Sequence, residues 1–168
     1  MQATYHFSIS ALQDSALSLF TAFVCGTMIG LERQLRQRTA GLRTIALVTV
    51  GAALFVDIAA RIYEIHGGNQ TPVHVVAYVV SGVGFLGAGV IMRDGGGIRG
   101  INTAATLWTA AAVGSAAGAD LISEAIVGTL FILGVNVVLR PLANFLDRRA
   151  LPAQASPELR EEAEPAAK

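Results

Sequence analysis

The sequence is short of charged residues. Asp, Glu, Lys and Arg make up 14% of its 168 residues, against about 25% in a typical soluble domain. A chain of this length folds into a small globule, which needs polar side chains to cover its large surface. The composition therefore argues against a soluble enzyme and against a nucleic-acid-binding protein.

Cysteine and N-terminal basic residues are also scarce. Cys25 is the one cysteine in the sequence, which excludes an intrachain disulfide and a cysteine-based metal cluster. The first ten residues contain no basic residue and do not have the pattern of a cleaved signal peptide. We therefore expect the first apolar segment to remain in the protein as a membrane anchor.

Long hydrophobic runs fill most of the sequence. A transmembrane helix needs about 20 mostly apolar residues, and five stretches approach that length: residues 15–31, 44–62, 73–92, 101–119 and 121–139. The fourth is rich in alanine, glycine and threonine and is the weakest of the five. A soluble bundle would leave several of these helices with no polar face for water. The sequence predicts an all-α, polytopic membrane bundle of about five transmembrane helices over residues 1–149, followed by a disordered cytoplasmic tail at 150–168.

The arginines are distributed unevenly between the two sides of this predicted bundle. One side carries nine: Arg33, Arg36, Arg38, Arg43, Arg93, Arg99, Arg140, Arg148 and Arg149. The other side carries Arg61. Because Lys and Arg in short loops favour the cytoplasmic side, we expect the N-terminus outside and the C-terminus in the cytoplasm. An odd number of spans agrees with that orientation.

Glycine supplies 18 residues, and several of them recur at helical spacing. Residues 82–87 match the dinucleotide-binding string Gly-x-Gly-x-x-Gly, but that site requires a preceding strand, and here the string lies inside an apolar run. We interpret the glycines as grooves that let helices approach closely. The predicted packing positions are Gly26, Gly30, Gly84, Gly87, Gly114 and Gly118. A subset of them could instead form the seam of a homodimer.

A few ionisable residues fall within the predicted spans. Asp57 and Arg61 lie four apart on one helix face and can form an interfacial ion pair, or Asp57 can handle a proton or a cation. Asp120 is expected to cap the fifth helix, and Glu124 follows one turn later, where the helix dipole favours an acid. Asp57 and Glu124 are also candidate ligands for a hydrated Mg²⁺. Together with Asn136 they would line the path of a carrier.

Residues 32–44 are the most informative segment, because the eleven residues from 33 to 43 include four arginines. Glu32 and Arg36 can pair at a spacing of four. The remaining guanidinium groups can set the topology, bind lipid phosphates or meet an acidic partner. The sequence contains no Ser-His-Asp, His-Glu-x-x-His or Walker pattern. We therefore expect no enzymatic activity and no cofactor.

Two groups of short strings resemble a known family. The first is Gly-Leu-Glu-Arg-Gln at 30–34 with Ala-Gly-Leu-Arg-Thr at 40–44. The second is Gly-Phe-Leu-Gly-Ala-Gly-Val-Ile at 84–91 with Ile-Asn-Thr-Ala-Ala-Thr-Leu-Trp at 101–108. Together they resemble the MgtC/SapB family of bacterial inner-membrane proteins, in a short form without the cytoplasmic ACT-like domain of longer members. The resemblance implies a multi-pass inner-membrane protein linked to growth at low Mg²⁺, virulence and survival inside macrophages, and some members are thought to restrain the F-type ATP synthase.

These observations favour a regulatory or adaptor protein that acts on a membrane partner, such as the ATP synthase or a P-type ATPase, and that could form a homodimer. The expected recognition residues lie in or beside the two signature segments: Glu32, Arg33, Arg36, Arg43, Arg93, Asn102 and Thr103. Asn102 and Thr103 can alternatively hydrogen-bond across helices or cap the fourth helix. The competing hypothesis is a small carrier of Mg²⁺, protons or another solute that works as an oligomer.

Overall fold

The computed structural model describes residues 9–66, 72–94, 97–139, 141–143 and 145–146. The predicted tail at 150–168 and the arginines at 140, 148 and 149 lie outside the described residues. The helical prediction is confirmed by five helices, α1 (Ile9–Leu35), α2 (Leu42–His66), α3 (Pro72–Val90), α4 (Ile101–Gly118) and α5 (Ile122–Gly134). The chain divides into two units, Met1–Ile132 and Leu133–Lys168.

Four of the helical stretches are long and apolar enough to cross a membrane. These are α1, α2, α3 and the run Ile122–Ala143, in which a π-helical segment, Val135–Leu139, follows α5. The exception is α4, the weakest span in the sequence, whose buried residues number ten of its 18. It packs against α1, α2 and α3, so its small and polar residues face other helices rather than lipid.

The core of the first unit lies between α1, α2 and α4. Its largest fully buried apolar side chains are Ile29, Ile45, Val56 and Leu107. By contrast α3 buries only Val83 and Gly87, and its other residues are half-buried or exposed. Helix α3 is therefore peripheral within the described part of the chain.

A β-hairpin joins α3 to α4, which the sequence analysis did not predict. Strands β1 (Met92–Asp94) and β2 (Gly97–Arg99) pair antiparallel, with Met92 opposite Arg99 and Arg93 opposite Ile98. The third span was placed two residues too far, because α3 ends at Val90. The hairpin returns to α4 through Gly100, whose φ of 93° is a left-handed conformation that favours glycine.

Two helices end in Schellman motifs with a non-glycine residue in the left-handed position. Gln37 (φ 53°) ends α1, and Asp120 (φ 61°) ends α4. In the second motif the N–H of Leu121 donates to the Ala116 carbonyl at 3.0 Å and the N–H of Asp120 donates to the Ala117 carbonyl at 3.1 Å. The prediction that Asp120 caps the fifth helix is therefore wrong, because this residue terminates α4 and α5 begins at Ile122.

Candidate functional site

Glycines on α1 and α4 bring both helices against the backbone of α2. An ideal Cβ at Gly114 would lie 2.9 Å from the carbonyl carbon of Thr49, and one at Gly118 would lie 2.7 Å from Ala53 Cα. Both distances fall below the separation that real Cβ atoms adopt. Only hydrogen fits at either position, so Gly114 and Gly118 let α4 approach α2 closely.

The same close approach occurs between α1 and α2. A Cβ at Gly26 would lie 2.6 Å from Thr49 Oγ1, and one at Gly30 would lie 2.8 Å from Leu42 Cα. Thr49 is fully buried, and its hydroxyl donates to the Ile45 carbonyl at 2.8 Å within α2. Gly26 and Gly30 therefore let α1 approach α2 closely.

The glycines of α3 behave differently. A Cβ at Gly87 would make an ordinary contact of 3.5 Å with Ala104 Cβ, and a Cβ at Gly84 would meet nothing within 4 Å. Gly84 therefore contacts no other helix of this chain among the described residues, because the face of α3 that carries it is exposed, and its predicted packing role stays a prediction. Gly82 and Gly89 are equally open.

One end of the first unit, which we call the arginine end, gathers the end of α1, the start of α2, the end of α3 and the start of α4. Arg33 lies there at the end of α1 and is only 3% exposed. Its Nη2 donates to Thr103 Oγ1, in the first turn of α4, at 2.5 Å. This bond joins two residues from the two different signature segments. Arg33 and Thr103 therefore do not lie on a recognition surface, and Thr103 takes the cross-helix role rather than the capping role.

Two buried polar atoms at the arginine end have no hydrogen-bond partner among the described residues. They are Arg33 Nε and Glu32 Oε2. The other carboxylate oxygen of Glu32 pairs with Arg36, as the spacing of four predicted. Arg38 lies beside this region, because its backbone N–H donates to the Arg33 carbonyl at 3.1 Å, and its side chain is exposed.

Other predicted recognition residues do lie on the surface of the arginine end. Arg43, Arg93 and Asn102 are exposed, as is Arg38. Among the described residues, no acidic side chain forms an ion pair with Arg38, Arg43 or Arg93. Helix α4 begins at Ile101, and Gly100 occupies the N-cap position before it. No side-chain hydrogen bond caps this helix end, so Asn102 does not cap α4.

The opposite end, which we call the Asp57 end, holds a second polar network. Arg61 Nε lies 3.3 Å from Asp57 Oδ1, so the predicted ion pair is confirmed. Ser15 on α1 donates to Asp57 Oδ2 at 2.5 Å and accepts from Arg61 Nε at 2.7 Å. Arg61 also donates to the carbonyl of Ala11. This network ties the start of α1 to the last turns of α2.

A parallel contact joins the start of α1 to the end of α4. Ser18, which is 1% exposed, donates to Asp120 Oδ1 at 2.6 Å.

Glu124 is exposed on α5. Within the part of the chain that the structure describes, no three His, Cys, Asp or Glu side chains come together as metal ligands. Asn136 lies in the π-helical segment of the second unit, with its Nδ2 buried and without a described partner.

The contacts that sequence reasoning missed join residues far apart in the chain. Arg33 and Thr103 are 70 residues apart, and Ser18 and Asp120 are 102 apart. Serines inside an apolar run carry no pattern that names a distant partner. The only available signal was that Thr103 and Ser18 are polar residues within predicted spans, where a polar group needs a partner.

The amino-acid sequence is similar to those of known proteins. A model of the MgtC family matches residues 19–145. The Protein MgtC of Brucella abortus is 51% identical over 140 residues, which cover 83% of this chain and 57% of that protein. The Protein MgtC of Salmonella typhi is 45% identical over 139 residues, which cover 83% of this chain and 58% of that protein. An uncharacterized protein of Synechocystis is 46% identical over 138 residues, which cover 82% of this chain and 57% of that protein. The chain spans less than two thirds of the length of these relatives, and no solved structure matches it.

Proposed function

This chain belongs to the MgtC family and is a multi-pass membrane protein, and from that premise we propose that it is a regulatory or adaptor protein of the bacterial inner membrane. It acts without catalysing a reaction. Its role is linked to Mg²⁺ limitation, to membrane energetics through a partner such as the ATP synthase, and to virulence or survival inside host cells.

The observation that carries this proposal is the exposed arginine surface of Arg38, Arg43 and Arg93. Together the three residues present positive charge around the ends of α1 and α3 and the start of α2. A positively charged surface whose arginines form no ion pairs within the described residues favours an acidic partner and raises the rate at which that partner associates. In the orientation that the arginine distribution predicts, this surface faces the cytoplasm.

The interior supports a scaffold role. Close packing at Gly26, Gly30, Gly114 and Gly118 holds α1 and α4 against α2 and leaves little freedom for movement between them. The exposed face of α3 is the surface that a second copy or a helix of the partner would contact. The bundle then acts as a rigid support for the arginine surface.

Co-purification from native membranes tests the proposal. The double variant Arg38→Gln/Arg43→Gln removes two charges from the arginine surface. The control, Glu32→Gln/Arg36→Gln, removes one internal ion pair from the same region and leaves the net charge unchanged. We expect the ATP synthase or a P-type ATPase to co-purify with the wild type and the control but not with the double variant. Equal recovery with all three proteins contradicts a charge-based recognition surface.

The carrier hypothesis requires a different measurement. Purified protein in liposomes is assayed for movement of Mg²⁺ and of protons, with Asp57→Asn beside the wild type. We expect no flux above that of empty liposomes. A flux that Asp57→Asn abolishes would overturn the regulatory proposal.

A further inference from the structure

The start of α4 presents unpaired backbone donors. The first N–H of this helix with a backbone acceptor is that of Ala104, which donates to the Gly100 carbonyl at 2.9 Å. The N–H groups of Ile101, Asn102 and Thr103 have no acceptor among the described residues. No side chain caps the helix, and its first turn contains no acidic residue. Such a helix end carries partial positive charge and attracts anions.

The buried guanidinium group of Arg33 contacts the start of α4, and it is a second observation beside the helix end. Arg33 donates from Nη2 to Thr103 in the first turn of α4, while its Nε is buried with no described partner. A buried donor without an acceptor costs free energy, so an occupied site would be more stable than an empty one. The orphaned Nε belongs to the side chain that contacts the start of α4, so a donor that could bind a ligand with acceptor oxygens lies in this region.

The charge balance around this point also favours an anion. Arg33, Arg36 and Arg38 carry three positive charges, and Glu32 carries one negative charge. One carboxylate oxygen of Glu32 pairs with Arg36 and the other is buried without a described partner, whereas Arg33 and Arg38 form no ion pair among the described residues. The excess of two positive charges matches a phosphate group, for which guanidinium and backbone N–H groups are the usual donors.

We propose that Arg33, Arg38 and the N-terminus of α4 form a phosphate-binding site at the arginine end of the bundle. The ligand is a phosphate group, which a phospholipid headgroup or free phosphate can supply. Arg33 holds the group from within the bundle, and Arg38 covers it from the surface. The site goes beyond the adaptor role, and it can exist whether or not the arginine surface binds a protein.

The test uses the full chain in a maltoside detergent, which contains no phosphate, at constant ionic strength. One arm titrates inorganic phosphate and the other a short-chain phosphatidylglycerol, with a short-chain diacylglycerol as the uncharged control. The readouts are the Nε resonances of arginine in a ¹⁵N NMR spectrum and the Tm. We expect one arginine resonance to shift saturably and the Tm to rise with at least one phosphate probe, but not with the diacylglycerol.

Three variants separate the site from general attraction between opposite charges. Arg33→Lys keeps the charge but removes the donor fork, and its spectrum should lack the shifting resonance. Arg38→Gln changes an exposed residue and should fold, and we expect it to weaken binding about tenfold, the size of one charge-assisted hydrogen bond. Arg43→Gln removes the same charge elsewhere on the arginine end and should change affinity less than about twofold.

Each outcome bears on the proposal. Binding of inorganic phosphate alone identifies free phosphate as the source, and binding of phosphatidylglycerol alone identifies the headgroup. Absence of a saturable arginine shift with both probes in the wild type overturns the site. Equal weakening by Arg38→Gln and Arg43→Gln also overturns it, because the attraction would then be unspecific. If Arg33→Lys does not fold, the wild-type spectrum and the Arg38→Gln comparison still decide the question.

Discussion

Substitution of Gly114 by alanine should separate glycines that hold the bundle together from those that do not. The added Cβ would lie 2.9 Å from the carbonyl carbon of Thr49 and 3.0 Å from Ala52 Cβ. Carbon atoms in contact prefer about 3.5 Å or more, and the Thr49 carbonyl oxygen lies closer still to the added Cβ, so α2 and α4 would have to separate by at least about 0.6 Å. Gly51 and Gly84 lie in helices of the same bundle, and a Cβ at either position meets nothing within 4 Å.

The expected magnitudes follow from two opposing effects. Overpacking costs about 1–3 kcal/mol, and the upper end applies at Gly114 because the obstructing atoms belong to the backbone and cannot rotate away. Replacing glycine by alanine in a helix contributes about 1 kcal/mol in the opposite direction. We expect Gly114→Ala to lower the free energy of unfolding by about 2 kcal/mol, and Gly51→Ala and Gly84→Ala to raise it by up to about 1 kcal/mol.

The assay is reversible unfolding of the purified protein by a denaturing detergent, followed by helical circular dichroism. Gly26→Ala should fall between the two groups, because the atom that its Cβ meets belongs to the Thr49 side chain. The reasoning is refuted if Gly114→Ala is as stable as Gly84→Ala. A loss of stability at Gly84 that depends on protein concentration would instead show that α3 contacts a second copy.

Two further predictions address the helix ends and the orientation. Gln37→Gly should stabilise the protein by about 1 kcal/mol, because glycine adopts the left-handed conformation of this position without strain. Asp120→Gly should stabilise it less, because the substitution also removes the hydrogen bond from Ser18. The same unfolding titration compares the two variants, and equal gains in stability would show that this hydrogen bond contributes nothing. An impermeant maleimide added to intact cells should label Glu64→Cys but not Thr39→Cys, with the buried Cys25 unreactive in both. The reverse pattern would invert the predicted topology.

Features that depend on local spacing could be predicted from the sequence. The helices follow from runs of apolar residues long enough to cross a bilayer, and no information about neighbours is needed to find them. The pairs Glu32–Arg36 and Asp57–Arg61 follow from a separation of four residues on one helix. The family resemblance rests on short strings of the same local kind.

The tertiary structure alone decided which of these features meet. Gly84 and Gly114 look alike in sequence, yet one faces open space and the other lies against the backbone of α2. Arg33 reads as one of four surface arginines until the end of α1 meets the start of α4, which buries it against Thr103. The reason is physical: hydropathy and helical period determine which face of a helix is apolar or small, but the residue opposite it is determined by how separate helices pack.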